Sequence, residues 1–225
     1  MLNTFTEQLT RAGQEIEHES FAIVDREAGP HNYFADQWPI VRRMIHATAD
    51  FEFNGLTRFH PNAVAAGVDA ILSGNPIIAD VEMICVGLSR PRLAHFGVAP
   101  HQFISDEDVI AQARAMNSTR AVQAMRKAHQ RGLINRGIAA IGNAPTALLE
   151  VVRLIREESA RPALIVGMPV GFVSAAESKD ITRALSDVPW IVTQGRKGGS
   201  TLVVAAIHAL LALAETRRQT LPSKP

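Results

Sequence analysis

Several features that mark whole classes of protein are scarce or missing in this chain. Cys85 is the only cysteine, which excludes an internal disulfide framework and any multi-cysteine zinc or iron–sulfur site. The net charge at pH 7 is +1, so no excess of basic charge indicates nucleic acid or an anionic membrane as a partner. No run approaches the roughly 20 uninterrupted apolar residues of a membrane span, and the N-terminus does not resemble a signal peptide. We therefore expect a cytoplasmic protein with no nucleic-acid or membrane partner.

The motifs of common metal and nucleotide sites are also missing. None of the eight histidines shows the H-x-H, H-x-x-x-H or H-E-x-x-H spacing of metal ligands. The chain has no G-x-x-x-x-G-K-[ST] phosphate loop and no clean G-x-G-x-x-G dinucleotide motif. We therefore expect no metal site and no cofactor.

Aromatic residues are scarce at 5%, whereas short aliphatic runs recur along the chain and alternate with amphipathic stretches. This alternation predicts one domain with a parallel sheet covered by helices on both faces. The predicted domain spans residues 1–215, and a flexible polar tail is expected over 216–225. Strands are predicted over 76–80, 138–141, 163–167 and 190–192. Helices are predicted over 1–20, 36–49, 61–72, 107–116, 119–131, 145–158, 175–185 and 200–215.

Three glycine-containing turns follow predicted strands and lead directly into helices. They lie at 142–147, 167–173 and 195–200. Ligands of parallel sheets bind beyond the carboxyl ends of the strands, and helix N-termini present unpaired N–H groups that suit anions. The turns could thus surround a large anionic ligand, or the glycines could serve only the geometry of tight turns. The residue pattern alone does not decide between a ligand site and a purely structural role for the glycines.

His46 stands apart from the other histidines because Arg43, three residues earlier, shares its face of a predicted helix. A histidine in such a place is more often structural than catalytic. Ser178 is not in a G-x-S-x-G nucleophile elbow, and Cys85 lies in an apolar stretch typical of a buried small residue.

Taken together, the motifs resemble the precorrin-8X methylmutase / cobalt-precorrin-8 methylmutase family of corrin biosynthesis. They occur in the family's order and span nearly the whole chain. The matching segments are IEHESFAIV at 16–24, RMIHA at 43–47, PIIADVEM at 76–83, TR at 119–120, IGNAPTAL at 141–148, GMPVGFV at 167–173, AESK at 176–179 and GRKGGS at 195–200.

The resemblance implies a flavodoxin-like α/β three-layer sandwich with a mainly parallel five-stranded sheet, and a homodimer. It implies an isomerase that moves a methyl group from C11 to C12 of the macrocycle, acting on a corrinoid tetrapyrrole that is metal-free or carries cobalt. His46 matches the catalytic histidine, whereas Ala121 and His208 stand where the family often has Ser and Asn. Substrate contacts are implied for Ser20, Arg43, Arg120, Gly142, Asn143, Gly171, Ser178, Gly198, Gly199 and Ser200.

Two other functions compete with this reading. An enzyme for phosphate or nucleotide ligands could use the glycine turns, but the fingerprints of such enzymes are missing. A non-catalytic tetrapyrrole carrier could keep the same fold, but the presence of both His46 and Arg43 favours catalysis.

Overall fold

A computed structural model describes residues 10–220, and a six-stranded sheet lies at their centre. The order across the sheet is β1-β6-β5-β4-β2-β3, in which β1 runs antiparallel to β6 and every other pair of neighbours is parallel. The strands are β1 (Thr57–Phe59), β2 (Ile77–Ala79), β3 (Pro100–His101), β4 (Ile138–Ile141), β5 (Leu164–Gly167) and β6 (Trp190–Thr193).

The four central strands are wholly buried because helices cover both of their faces. Successive side chains of β4 enter opposite cores: Ile138 and Ala140 face one helix layer, and Ala139 and Ile141 face the other. The expected mainly parallel, three-layer α/β fold is therefore confirmed.

The expected count of five strands is wrong, because an antiparallel edge strand, β1, is added to five parallel ones. Neither β1 nor β3 was predicted. They have three and two residues and no buried apolar run, so they carry almost no periodic signal.

Helices form the two outer layers. One layer contains α1, α2, α4, α5, α6 and α11, and the other contains α7, α8, α9 and α10. The short helices α3, α5 and α6 were not predicted, because four to six residues are too few to show a helical period. The helices are α1 (Arg11–Glu27), α2 (Trp38–Thr48), α3 (Phe53–Leu56), α4 (Ala63–Leu72), α5 (Glu82–Gly87), α6 (Arg90–His95), α7 (Glu107–Ala115), α8 (Arg120–Gln130), α9 (Pro145–Glu157), α10 (Ala175–Arg183) and α11 (Ser200–Thr220).

The last helix, α11, is long and apolar enough to cross a membrane by length and composition. It packs against α2, α4 and the sheet, and Val203, Ile207 and Leu210 are completely buried. Its apolar character is therefore that of a core helix. The helix continues to Thr220, five residues past its predicted end, and residues 221–225 lie outside the described part of the chain.

The first helix, α1, begins later than predicted. The Thr10 side chain accepts a hydrogen bond from the Gly13 amide and caps the helix, which then runs to Glu27. The prediction of a helix from residue 1 rested partly on Phe5 and Leu9, which lie outside the described residues.

Candidate functional site

The carboxyl ends of β2, β4, β5 and β6 lie along one edge of the sheet because these strands are parallel. Asp80 follows β2 directly, and the three glycine turns follow the other strands. All of these segments therefore meet at the edge where the sequence predicts a ligand site. We call it the carboxyl edge.

A buried carboxylate, Asp80, holds the turn after β4. One oxygen accepts the Gly142 amide at 3.0 Å, and the other accepts the Asn143 and Ala144 amides at 2.9 and 2.6 Å. Burial raises the pKa of Asp80, and the three amide donors oppose that shift by stabilising the charged form. These N–H groups are therefore already bonded within the protein.

The turns after β5 and β6 are joined by two backbone hydrogen bonds. The Gly199 amide donates to the Met168 carbonyl at 2.8 Å, and the Gly171 amide donates to the Arg196 carbonyl at 3.2 Å. A Cβ atom on Gly198 would lie 2.2 Å from the Met168 carbonyl oxygen, so this position needs glycine for the close approach.

Of the two interpretations of the turns, the one in which they present unused amides to an anion does not hold for Gly142, Asn143, Gly171 and Gly199. Each of these amides already has a partner in the protein. Gly142 also lets the turn after β4 approach α11, because a Cβ there would lie 2.7 Å from the Cα of Ser200. Contact of these residues with a substrate through other atoms remains a prediction.

Two neighbouring polar side chains of α10 are fully buried. Ser178 is fully buried and donates to the Ala175 carbonyl, so its hydroxyl is engaged within its own helix. Lys179 is also fully buried and donates to the Lys197 carbonyl at 2.9 Å and to Thr193 Oγ1 at 3.3 Å. Burial lowers the pKa of Lys179 to about 8.

The histidine singled out by the sequence lies at the C-terminal end of α2. His46 is exposed, and its ring meets the Phe21 ring of α1 edge-on at a centroid distance of 5.2 Å. Among residues 10–220 the imidazole has no hydrogen-bond partner, so both ring nitrogens can serve a ligand. Ser20, next to Phe21, is partly exposed on the same helix.

Arg43 supports this arrangement from one turn earlier on α2. Its guanidinium lies 5.1 Å from the centre of the Phe21 ring and donates to Glu17 of α1 at 3.1 Å. Both members of this ion pair are mostly buried, with side chains 14% and 10% exposed, so Arg43 links α1 to α2. The pair borders a cavity of about 300 Å³ between α1, α2 and α11.

The direction of α2 places His46 near the carboxyl edge. Arg42 shares the 300 Å³ cavity with Leu213 of α11, whereas Asp50, just past the end of α2, bonds Lys197, just before the start of α11. The two helices are therefore antiparallel, and the end of α2 approaches the turn after β6.

Arg120 approaches the same edge from the opposite helix layer. It is the first residue of α8, whose N-terminus is capped by Thr119. The Thr119 hydroxyl also lies 3.1 Å from that of Thr146, in the first turn of the helix that follows β4. Arg120 is exposed and forms no ion pair within residues 10–220. Its guanidinium can therefore take an anionic partner.

Apolar side chains at the carboxyl edge were missed by sequence reasoning. Phe172 and Val173, in the turn after β5, are 85% and 82% exposed, and Met83 and Val86 of α5 are 67% and 71% exposed. The guanidinium of Arg196 lies 5.5 Å from the centre of the Phe172 ring. The sequence did contain a signal for these exposed side chains, because the turn Met-Pro-Val-Gly-Phe-Val is unusually apolar for a surface segment.

Cys85 on α5 is half-buried, and burial raises the pKa of its thiol to about 11, so the thiolate is disfavoured. Within residues 10–220 no group of three His, Cys, Asp or Glu side chains could hold a metal ion.

Comparison with known proteins identifies clear relatives. The precorrin-8X methylmutase family model matches residues 15–213. The chain is 52% identical over 215 residues to the cobalt-precorrin-8 methylmutase of Leptospira interrogans. The aligned region covers 93% of this chain and 98% of the relative. It is 38% identical over 204 residues to the precorrin-8X methylmutase of Pseudomonas aeruginosa, covering 89% and 95% of the two chains. The crystal structure of the Thermus thermophilus precorrin-8X methylmutase superimposes with a TM-score of 0.87 at 53% identity, covering 91% of this chain and 98% of that one.

Proposed function

The chain belongs to the precorrin-8X methylmutase family, the isomerases of cobalamin synthesis, and we propose that it moves a methyl group from C11 to C12 of the corrin precursor. Precorrin-8X would give hydrogenobyrinate, and the cobalt-containing analogue would give cobyrinate. His46 acts as the proton donor and acceptor. The observation that carries this proposal is an exposed histidine with no hydrogen-bond partner among residues 10–220, held by Phe21 at the edge where ligands of parallel sheets bind.

The chemistry explains why one histidine suffices. The methyl migration is formally a 1,5-sigmatropic shift within a single molecule, so it needs no nucleophile and no electron carrier. A proton delivered to a ring nitrogen, or a hydrogen bond that strengthens during the shift, draws electron density through the conjugated system. Histidine suits this task because its ordinary pKa lies near 6.5 and both of its forms exist near neutral pH.

The surroundings fit a large, flat ligand that carries many carboxylates. The exposed Phe172, Val173 and Met83 can cover the apolar faces of a tetrapyrrole, and the exposed Arg120 can hold a carboxylate through two parallel hydrogen bonds. Because these groups act locally, the near-zero net charge of the chain is compatible with an acidic ligand. We propose Ser20 and Ser200 as further substrate contacts.

A direct test is incubation of the purified protein with precorrin-8X, followed through the visible spectrum of the pigment. We expect conversion to the more conjugated product, retained after treatment with EDTA and desalting because no metal or cofactor is proposed. A parallel incubation with cobalt-precorrin-8 decides which form is preferred. Tight pigment binding with no spectral change would instead support the carrier function, and loss of activity that only a metal restores would contradict the proposed chemistry.

We further propose that the protein is a cytoplasmic homodimer. The support is the resemblance to the family, which implies a homodimer. Light scattering should give a mass close to twice the 24.4 kDa of one chain, and a mass of one chain would contradict the dimer.

A further inference from the structure

Lys197, in the turn after β6, joins two segments that are 147 residues apart in sequence. Its ammonium lies 2.5 Å from Asp50 Oδ2 and 3.2 Å from Glu52 Oε1. Asp50 and Glu52 belong to the short segment that follows α2. Lys197 therefore connects the turn at the carboxyl edge to the end of the helix that carries His46.

The connection reaches α2 through a tightly organised helix end. Ala49 adopts a left-handed conformation with φ of 54°, and its amide donates to the Ile45 carbonyl at 2.7 Å. The Asp50 amide donates to Thr48 Oγ1, and Asp50 Oδ1 accepts the Glu52 amide at 3.0 Å. Because Asp50 is bonded on both sides, its position and that of the last turn of α2 are set together.

The other end of the connection is anchored from inside the protein. The Lys197 carbonyl accepts hydrogen bonds from the buried Lys179 ammonium at 2.9 Å and from the Thr193 hydroxyl at 2.7 Å. The backbone at Lys197 is thus held against β6 and α10 while its side chain reaches outward. Because its backbone is fixed in this way, the Lys197 side chain can hold Asp50 at a defined distance from β6 and α10.

We propose that Lys197, acting through Asp50, is a positioning residue that fixes the last turn of α2 and thereby the place of the His46 imidazole relative to a ligand at the carboxyl edge. The inference rests on the proposed function, in which His46 exchanges a proton with the macrocycle. Proton transfer requires atoms within hydrogen-bond reach, so a small displacement of α2 would slow the reaction while the affinity for the ligand stays the same.

The chain offers a matched control on its opposite helix layer. Lys127 of α8 also pairs with two carboxylates, Asp106 at 2.6 Å and Asp108 at 2.5 Å, and it also lies over a phenylalanine ring, Phe103. Lys197 has the same kinds of partner, with Phe53 as the ring, although its side chain is 43% exposed and that of Lys127 is 13% exposed. The Lys127 cluster joins α8 to the start of α7 and lies in the helix layer on the other face of the sheet from α2, so its removal tests the effect of losing such an ion pair alone.

The experiment compares Lys197→Met, Asp50→Asn, their double variant and Lys127→Met by steady-state kinetics with precorrin-8X. We expect Lys197→Met and Asp50→Asn each to lower kcat about tenfold or more. KM should stay within about twofold of the wild-type value, because the lost interaction is not a substrate contact. The double variant should be no slower than either single variant, since both remove the same link. Lys197→Arg should restore most of the activity, and Lys127→Met should match the wild type.

A second measurement does not depend on turnover. In protein labelled with ¹⁵N-histidine, we expect the His46 ring resonances to shift in Lys197→Met and Asp50→Asn and to stay unchanged in Lys127→Met. Unchanged His46 resonances in the first two variants would overturn the inference, whether or not the protein is active towards precorrin-8X. Inactivity of the wild-type protein towards its substrate would separately overturn the proposed function. A raised KM in Lys197→Met with normal kinetics in Asp50→Asn would also overturn it, because Lys197 would then bind the substrate directly. A lowered melting temperature with unchanged kcat would leave only a structural role and would overturn it as well.

Discussion

The two parts of the candidate site differ in what their polar groups already bond to. Around His46, side chains from two helices leave the imidazole exposed and unbonded within the described residues, while the Phe21 ring, itself in contact with the Arg43 guanidinium, packs edge-on against it. At the glycine turns, the amides of Gly142, Asn143, Gly171 and Gly199 are occupied by Asp80 or by a neighbouring turn. The first part can act on a ligand, and the second chiefly builds the edge on which the ligand would rest.

This difference has a simple physical origin. Side chains of a helix face can point into solvent while their backbone stays fully bonded, so they are available at little cost in stability. Turns at the end of a buried sheet must bond their own backbone groups or lose the hydrogen bonds that water supplied. The comparison predicts that changes in the first part affect turnover and that changes in the second part affect stability.

The largest expected effect is on turnover, in His46→Ala. Loss of the proposed proton donor and acceptor should lower kcat by about 10²–10⁴-fold, because one general acid–base group contributes that much. Pigment binding and the melting temperature should stay near those of the wild type, since the side chain is exposed. Replacing His101, at the far edge of the sheet, by Ala controls for the loss of any histidine. Near-normal turnover in His46→Ala would remove this residue from the mechanism.

Asp80→Ala should destabilise the protein more than His46→Ala does. The variant leaves three buried amides without their carboxylate, and each such loss costs about 1–3 kcal/mol, so the free energy of unfolding should fall by about 3 kcal/mol or more. Urea denaturation measures this quantity. Asp180→Ala, at an exposed ion pair with Arg183, should change it by less than about 0.5 kcal/mol. Equal effects of the two substitutions would contradict the structural role of Asp80.

Arg120→Ala, on α8 across the carboxyl edge from the His46 part, separates binding from chemistry. If Arg120 holds a carboxylate equally well in the ground and transition states, its loss should raise KM roughly ten- to a hundred-fold, or about 1.5–3 kcal/mol, with little change in kcat. The melting temperature should not change, because Arg120 has no ion pair within residues 10–220. An unchanged KM with a collapsed kcat would instead place Arg120 in the chemistry beside His46.

The smallest effect concerns His208, which stands where the family often has Asn. Its Nε2 accepts the Ser89 amide at 3.1 Å, and burial, with Arg92 and Arg43 nearby, lowers its pKa to about 4. The unfolded chain, with an ordinary pKa near 6.5, binds a proton at this residue before the folded chain does, so stability is lost as the pH falls. When the pH is lowered from 7.5 to 5, the unfolding free energy of the wild type should fall by about 2 kcal/mol more than that of His208→Asn. Parallel pH curves for the two proteins would contradict the lowered pKa.

Sequence reasoning succeeded where a signal repeats along the chain. The runs at 138–141 and 163–167 predicted β4 and β5 almost to the residue, because strands buried on both faces must be continuously apolar. The same reasoning missed β1 and α5, which are too short to repeat a pattern. It identified Asp80 and Lys179 only as members of family-like segments and gave them no role, because their partners at 142–144 and 193–197 are distant in sequence.

The sequence by itself was enough to predict the α/β class and the family and to distinguish His46 from the other histidines. Periodicity and motif order are properties that a chain displays before it folds. Only the tertiary structure decided which polar groups are available and which are already bonded. The sequence left open whether the glycine turns offer amides to an anion, but Asp80 and the turn carbonyls take the Gly142, Asn143, Gly171 and Gly199 amides once the strands align. Likewise, nothing local connects Lys197 to Asp50. Their ion pair exists because α2 and α11 pack antiparallel and bring residues far apart in the chain to one edge of the sheet.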